Sequence, residues 1–206
     1  MRFSILFILP FIISSCSSNE HVDSEMNPVQ KIEVIHSEPV YQKKSLVEFT
    51  KQLLRIIKKK DLTALTPYIH PQKGVRFSPY AYVDTSENIL LQKADFLSNP
   101  SKKYLWGYYD GSGEEILLTL NNYFKEFVYD VDFIHAEEMK EDTLIGTGNS
   151  LNNLTEVYTN NHFVECYFSG FKTEYGGLDW RSLRFVFEEF ENKTVLIAII
   201  HDQWTI

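Results

Sequence analysis

Two histidines stand beside residues that could support acid–base chemistry. His70 precedes Pro71 in a segment dense in turn formers, with Arg76 and Tyr80 downstream. His201 precedes Asp202 and Trp204 at the end of an apolar run. A histidine acting as general base needs hydrogen-bond reach to its substrate and a group that orients it. Asp110 and Glu165 are the candidate partners, so His70, Asp110, Glu165 and His201 are the residues a hydrolase or lyase would use. Each also has a plainer reading. His-Pro terminates a helix, and His201 shares a strand face with Ile199 and Ile197, as a satisfied core histidine would. Adjacent strand residues point to opposite faces, so His201 and Asp202 do not serve each other as base and orienter.

A second chemistry is binding. Trp106-Gly107-Tyr108-Tyr109-Asp110-Gly111-Ser112-Gly113-Glu114 sets three aromatics beside one carboxylate on a glycine-rich turn. An aromatic wall with a convergent carboxylate suits a sugar or another polar ring ligand. Strand aromatics in a core, with Asp110 opening the turn by bonding its own backbone, would look the same. Tyr80, Trp106, Tyr108, Asp110, Tyr167, His201 and Trp204 are the expected lining of a pocket between a sheet and its helices.

Other site chemistries find no pattern. Asp130, Asp132 and Glu141 fit the first, third and twelfth places of a calcium loop, but Ile134 and His135 occupy its fifth and sixth, where an oxygen and a glycine are needed. The six histidines lack zinc-site spacing, so no metal is expected. No GxGxxG, Walker or GxSxG string occurs, and no other cofactor is expected. The chain has 28 Asp+Glu against 20 Lys+Arg, a net charge of −8. An acidic protein gains nothing from counterion release, which excludes nucleic acid as a partner. Lys58-Lys59-Lys60 reads as a helix end, where cations complement the dipole.

The elements that must position these residues follow from periodicity. Ser45-Leu46-Val47-Glu48 is a capping box, and Leu46, Phe49, Leu53 and Ile56/Ile57 follow helical spacing. Asp61 caps a short second helix ending at His70-Pro71. Strands are expected over 74–77, 104–109, 153–158, 162–168, 182–190 and 194–204, and helices over 87–97 and 119–128. Glu189 to Lys193 reads as a hairpin connection. Val195 to Ile200 is apolar on both faces, which places that strand centrally, covered on both sides. Helices first and a meander of strands last predict an α+β domain over 45–206, with N-terminal helices on a curved antiparallel sheet.

Ahead of that domain, Met1-Arg2 is followed by the apolar run Phe3 to Ile13 and by Ser14-Ser15-Cys16. This is an export signal, too short to span a bilayer. Ile13-Ser14-Ser15-Cys16 resembles the lipobox of bacterial lipoprotein precursors. The resemblance implies cleavage after Ser15, lipid on Cys16 and a membrane anchor in the cell envelope. Ser17, where an Asp commonly retains lipoproteins at the inner membrane, favours the outer membrane if there are two, and otherwise the outer face of the cell membrane. Polar residues 17–44 read as a tether. Once Cys16 is lipidated, Cys166 has no disulfide partner and is most simply a small buried hydrophobe.

The strings His70-Pro71-Gln72-Lys73-Gly74-Val75-Arg76-Phe77-Ser78-Pro79-Tyr80, Trp106 to Glu114, Tyr175 to Leu183 and Ile200-His201-Asp202-Gln203-Trp204-Thr205-Ile206 resemble a family of secreted or lipid-anchored bacterial proteins. The family has no assigned activity, so the resemblance implies an address and a fold and carries over no catalytic residues. The element order is also similar to the nuclear-transport-factor-2-like, or cystatin-like, cone, in which a curved sheet wraps a long helix and leaves a pocket. Three readings stand: a tethered domain binding a small molecule or an envelope protein, an envelope hydrolase or lyase, and a structural or assembly lipoprotein.

Overall fold

The computed structural model describes residues 45–205, so the leader, Cys16 and the tether lie outside the described residues. Helix α1 (Leu46–Lys58) starts where the capping box places it, with Ser45 Oγ accepting from the Glu48 amide at 3.3 Å. Leu53, Leu54 and Ile57 form its buried stripe, against β5 (Glu138–Glu141) and β6 (His162–Phe168). Asp61 caps a 3-10 turn, Leu62–Tyr68, through the Ala64 amide.

The chain is an α+β domain built on one six-stranded sheet. Its strands run β2 (Leu90–Leu91), β1 (Val75–Ser78), β8 (Lys193–Gln203), β7 (Arg181–Phe190), β6 and β5. The sheet is mixed rather than antiparallel, because β1 pairs with β8 in parallel. The long intervening chain leaves that pair free of hairpin geometry, which is what forces neighbours to run antiparallel. β3 (Lys103–Tyr108) and β4 (Glu115–Thr119) form a separate hairpin. At the β7–β8 turn, Glu191 and Asn192 both take positive φ, 49° and 59°. That two-residue geometry matches the twist of the strands it joins.

β8 is central and covered on both sides, as its double apolar face requires. One face carries the main core, where Leu183, Phe185, Phe187, Leu196 and Ile199 meet α1 and the aromatic group Phe77, Trp106 and Tyr123. The other carries Val83, Leu154, Phe163, Val186, Ile197, Ala198 and Ile200. Ile197 thus lies opposite Ile199. A bulge lets Phe187 pair with Leu196 while Val186 pairs with Ala198, and the extra residue breaks the expected alternation. Gly74 opens β1 at φ +73°, and a Cβ there would lie 2.4 Å from the Leu91 carbonyl, so the β1–β2 pairing demands glycine.

Three expected elements differ. Residues 87–97 are not one helix. Asp84 Oδ1 captures the Ser86 and Glu87 amides into a turn, β2 follows, and a Gln92–Asp95 capping box starts a 3-10 turn, Lys93–Leu97. Residues 153–158 are not a strand. Asn153 bonds the Val83 backbone amide and carbonyl through its side chain, at 2.8 and 3.0 Å, and its own backbone turns into α3 (Leu154–Val157). The helix expected over 119–128 is bent. α2 (Leu120–Tyr123) is capped by Thr119 and widens into a π turn, Phe124–Val128, closed by Tyr129 N to Phe124 O at 2.7 Å.

Candidate functional site

The π turn, the β3–β4 hairpin and the ends of β7 and β8 enclose an open cleft of about 650 Å³. Tyr80, Tyr109 and Phe127 give it an aromatic wall, and Asp130, Arg181 and Gln203 converge on it as polar groups, with Lys125 and Glu126 also lining it. The widened helical turn sets Phe127 across the site, its ring edge-on to Tyr80 at 6.2 Å and to His201 at 5.7 Å. Such π turns recur at functional sites.

Both tyrosine hydroxyls are held by neighbouring residues of the chain. Tyr80 Oη accepts from the Asp110 amide at 3.0 Å. Burial raises the Tyr80 pKa. Tyr109 donates to Glu126 Oε1 at 2.6 Å, and that bond, helped by burial, pushes its pKa up to about 12. Both phenols therefore stay protonated at neutral pH.

At one end Arg181 Nε donates to Asp130 Oδ2 at 2.8 Å. His201 lies behind this pair, almost fully enclosed, with Nε2 3.7 Å from the same oxygen. Its Nδ1 is 3.0 Å from the Pro79 carbonyl oxygen. A carbonyl can only accept, so Nδ1 carries the proton. Burial works against the ionised Asp130. In the acid range where it titrates, His201 and Arg181 more than offset that burial and hold its carboxyl below the usual value.

The expected site residues are dispersed. Tyr80 lines the cleft, Asp110 reaches it through its amide, and His201 stands behind it. Trp106 is fully buried in the core, stacked on Tyr123 at 3.7 Å. Tyr108 and Trp204 are exposed. Tyr167 lies 6.2 Å from Trp180, on the sheet face opposite His201. His70 donates its backbone amide to the Leu196 carbonyl at 3.0 Å, five residues along β8 from His201. Its Nδ1 accepts from the Gln72 and Lys73 amides at 3.1 and 3.0 Å, and burial lowers its pKa. Glu165 and His201 are separated by the sheet, so neither they nor His70 and His201 converge as an acid–base pair.

Glu165 belongs instead to a closed cluster on the far face. Arg184 donates to Asp202 Oδ2 at 2.9 Å, to Glu165 Oε1 at 3.0 Å and to the Gly146 carbonyl at 2.9 Å. Glu165 also accepts from Ser182 Oγ and from the Ile145 and Gly146 amides, at 2.5, 2.7 and 2.9 Å. Burial raises the Asp202 pKa despite Arg184. Cys166, beside Glu165 in sequence, is fully buried, and burial pushes its thiol pKa far up.

Among the described residues, Glu141, Asp142 and His162 have donor atoms all within 4.8 Å of one another, close enough to hold a metal ion. All three are exposed, and a 2.7 Å bond from His162 Nδ1 to Asp142 accounts for their proximity. The β5–β6 pairing brings together Asp142 and His162, twenty residues apart, which no short motif would reveal.

The sequence reading missed Tyr109, Phe127, Asp130, Arg181 and Gln203 as cleft residues. One signal was present: Arg181, His201 and Gln203 share a face once β7 and β8 are paired as a hairpin. Asp130 follows a π turn, Phe124–Val128, that no local pattern announces. Neither protein-family models nor curated proteins give a match to this chain.

Proposed function

We propose that the chain is a lipid-anchored protein of the bacterial cell envelope whose folded domain binds a small polar ring ligand, a sugar being the type, without turning it over. The observation that carries this reading is the cleft itself. An aromatic wall of Tyr80, Tyr109 and Phe127 faces a small convergent set of polar groups, Asp130, Arg181 and Gln203. That combination is how small-ligand sites gain both affinity and orientation. Rings of this kind cover the apolar faces of a sugar while the polar groups meet its hydroxyls.

Neither histidine is free to act as a general base toward a cleft ligand. His70 has spent Nδ1 on two backbone amides. His201 is enclosed behind Asp130 and under Phe127. A hydrolase or lyase would have to use His201 with Asp130, rather than with Asp110 or Glu165, and turnover of a bound ligand would establish it.

The nuclear-transport-factor-2-like cone is the finer fold we propose. It is supported by a long first helix against a four-strand meander, with a cleft beside them. The anchor rests on the leader, the lipobox resemblance and Cys16. Among the described residues no helix is long and apolar enough to cross a membrane. Cys16→Ala should move the protein out of the membrane fraction, and mass spectrometry should find lipid on Cys16 of the unaltered product.

The binding reading is tested by thermal melts of the full chain in detergent against a panel of mono- and disaccharides. A cleft ligand at a hundredfold excess over its Kd stabilises by about 2.7 kcal/mol, a Tm rise of roughly 5–10 °C. Tyr80→Ala should abolish that rise. A panel that leaves Tm unmoved, with the protein folded, would remove the sugar reading.

A further inference from the structure

We infer that a second pocket, between the end of α1 and the π turn, binds a phosphate monoester, with its phosphate on Lys60 and Lys125 and its organic body on Ile57, Leu62 and Phe124. The inference is independent of the sugar reading of the cleft.

The pocket has a volume of about 280 Å³ and shares Asn122 and Lys125 with the cleft. Its polar lining is Lys58, Lys60, Lys125, Asn121 and Asn122, with no carboxylate. The chain carries a net charge of −8, and four other cavities of the domain each include at least one Asp or Glu. A lining of cations and amides alone therefore does not follow from the average surface.

A helix end accounts for part of this charge but not for its placement. Cations anywhere around the last turn of α1 complement its dipole, and Lys59, the C-cap, does so without lining the pocket. Lys125 arrives from the π turn, far along the chain. Lys60 takes φ 59°, the left-handed position after a helix where glycine is usual. A side chain there costs stability that glycine would not, so its ammonium is kept at the pocket against local preference. Lys58 is already paired, with Nζ 2.8 Å from Asp132. Lys60 and Lys125 have no partner among the described residues and supply the uncompensated charge.

These donors select the anion. Arginine's planar fork suits a carboxylate, and no arginine lines the pocket. Separate ammonium groups act as point charges, which suits a phosphate with its near-double charge and three acceptor oxygens. The side-chain amides of Asn121 and Asn122 add neutral donors beside them. Ile57, Leu62 and Phe124 are nearly buried and give the same pocket an apolar floor. A ring or short chain beyond the ester oxygen would rest there, and the volume leaves room for a single ring.

The test titrates the full chain in detergent, at constant ionic strength, with phenyl phosphate, inorganic phosphate, benzoate and phenol, and reads binding from the melting temperature. Phenyl phosphate should bind about tenfold more tightly than inorganic phosphate, through its ring, and about tenfold to a hundredfold more tightly than phenol, through its charge. Lys60→Gly is the decisive variant. It should raise the Tm of the free protein by a few degrees, because glycine suits the left-handed backbone, and yet weaken phenyl phosphate binding about tenfold. Lys125→Gln should weaken it to a similar degree, and Lys59→Gln should leave it unchanged. The ester could belong to a soluble compound or to a lipid headgroup, so a second arm compares Tm in vesicles of phosphatidylcholine with and without phosphatidic acid. A Lys60-dependent rise there assigns the ester to a lipid. Its absence, beside a response to phenyl phosphate, assigns it to a soluble compound. Benzoate binding as tightly as phenyl phosphate, unchanged affinity in Lys60→Gly, or equal losses in the Lys59 and Lys60 variants would each overturn the inference. A Tm that phenyl phosphate leaves unmoved would overturn it too, while the saccharide panel would still decide the cleft.

Discussion

Arg181 and Arg184 are three residues apart on one strand, and each pairs with a carboxylate from elsewhere in the chain. They point to opposite faces of the sheet, and their surroundings differ in exposure. Arg184 is sealed with Glu165 and Asp202, beneath a loop that brings backbone groups of Ile145 and Gly146 to the charges. Arg181 meets Asp130 at the end of an open cleft, with one carboxylate oxygen and one imidazole nitrogen unpartnered. The same residue types therefore do two jobs. The enclosed network locks a loop onto the sheet, and the other pair lines a cleft. Each side has two buried polar atoms without a partner among the described residues, Arg184 Nε and Asp202 Oδ1 on one and Asp130 Oδ1 and His201 Nε2 on the other, so access to the cleft, rather than residue identity or satisfaction, separates them.

The sharpest break of that comparison is Arg184→Met against Arg181→Met. Removing Arg184 strands two buried carboxylates, and breaking a buried pair costs about 3–5 kcal/mol. Removing Arg181 leaves Asp130 beside the cleft, where solvent or a ligand can reach it, at about 1–2 kcal/mol. Urea unfolding of the two variants measures both. Comparable losses would show that the cleft-side pair is as structural as the sealed one.

Gly146→Ala is the next largest. A Cβ there would lie 2.9 Å from the Trp180 ring, 3.1 Å from Glu165 Oε1 and 3.2 Å from the Ser182 Cβ. Trp180 and the sheet leave little room to give, so overpacking should cost about 1–3 kcal/mol. Denaturant midpoints should fall, and ligand binding at the cleft should stay unchanged, because the strain is on the other face.

This division of labour was only partly legible in the sequence. α1, β6, β7 and β8 were, because each rests on a strong local rule: a capping box, strict alternation, or a double apolar face. The β1–β8 pairing was not, since parallel register between distant strands leaves no local trace. The bulge at Ile197 was hidden for the same reason, and it reversed one residue of the face assigned to His201. Trp106 and Tyr108 are two apart and should share a strand face, yet one is core and the other exposed, because the strand register shifts between Leu105 and Tyr108, with Gly107 at φ 136°. Asp130 was visible as a residue and illegible as a site. Its place depends on a helix widening by one residue per turn, and propensity does not encode that.

The smallest effect separates the two faces by proton linkage. Asp130 has its folded pKa depressed below the ordinary 3.8. Its ionised form therefore contributes stability that is present above about pH 4 and lost as pH falls through the lower, folded value. Asp202 has its folded pKa raised above 3.8. Its contribution has the opposite sign, being present below about pH 4 and lost as pH rises through the folded value. Asp130→Asn removes the first and keeps the second. The variant should lose about 1 kcal/mol or less at neutral pH, since the amide oxygen still accepts from Arg181. The gap to the unaltered protein should close as acid is added, because there the unaltered Asp130 has also lost its charge. Denaturant titrations of both proteins from pH 7 to pH 3 measure that closing. A gap that stays constant, or widens toward acid, would mean that Asp130 contributes nothing through its charge, and the open cluster would then have no electrostatic role in the free protein.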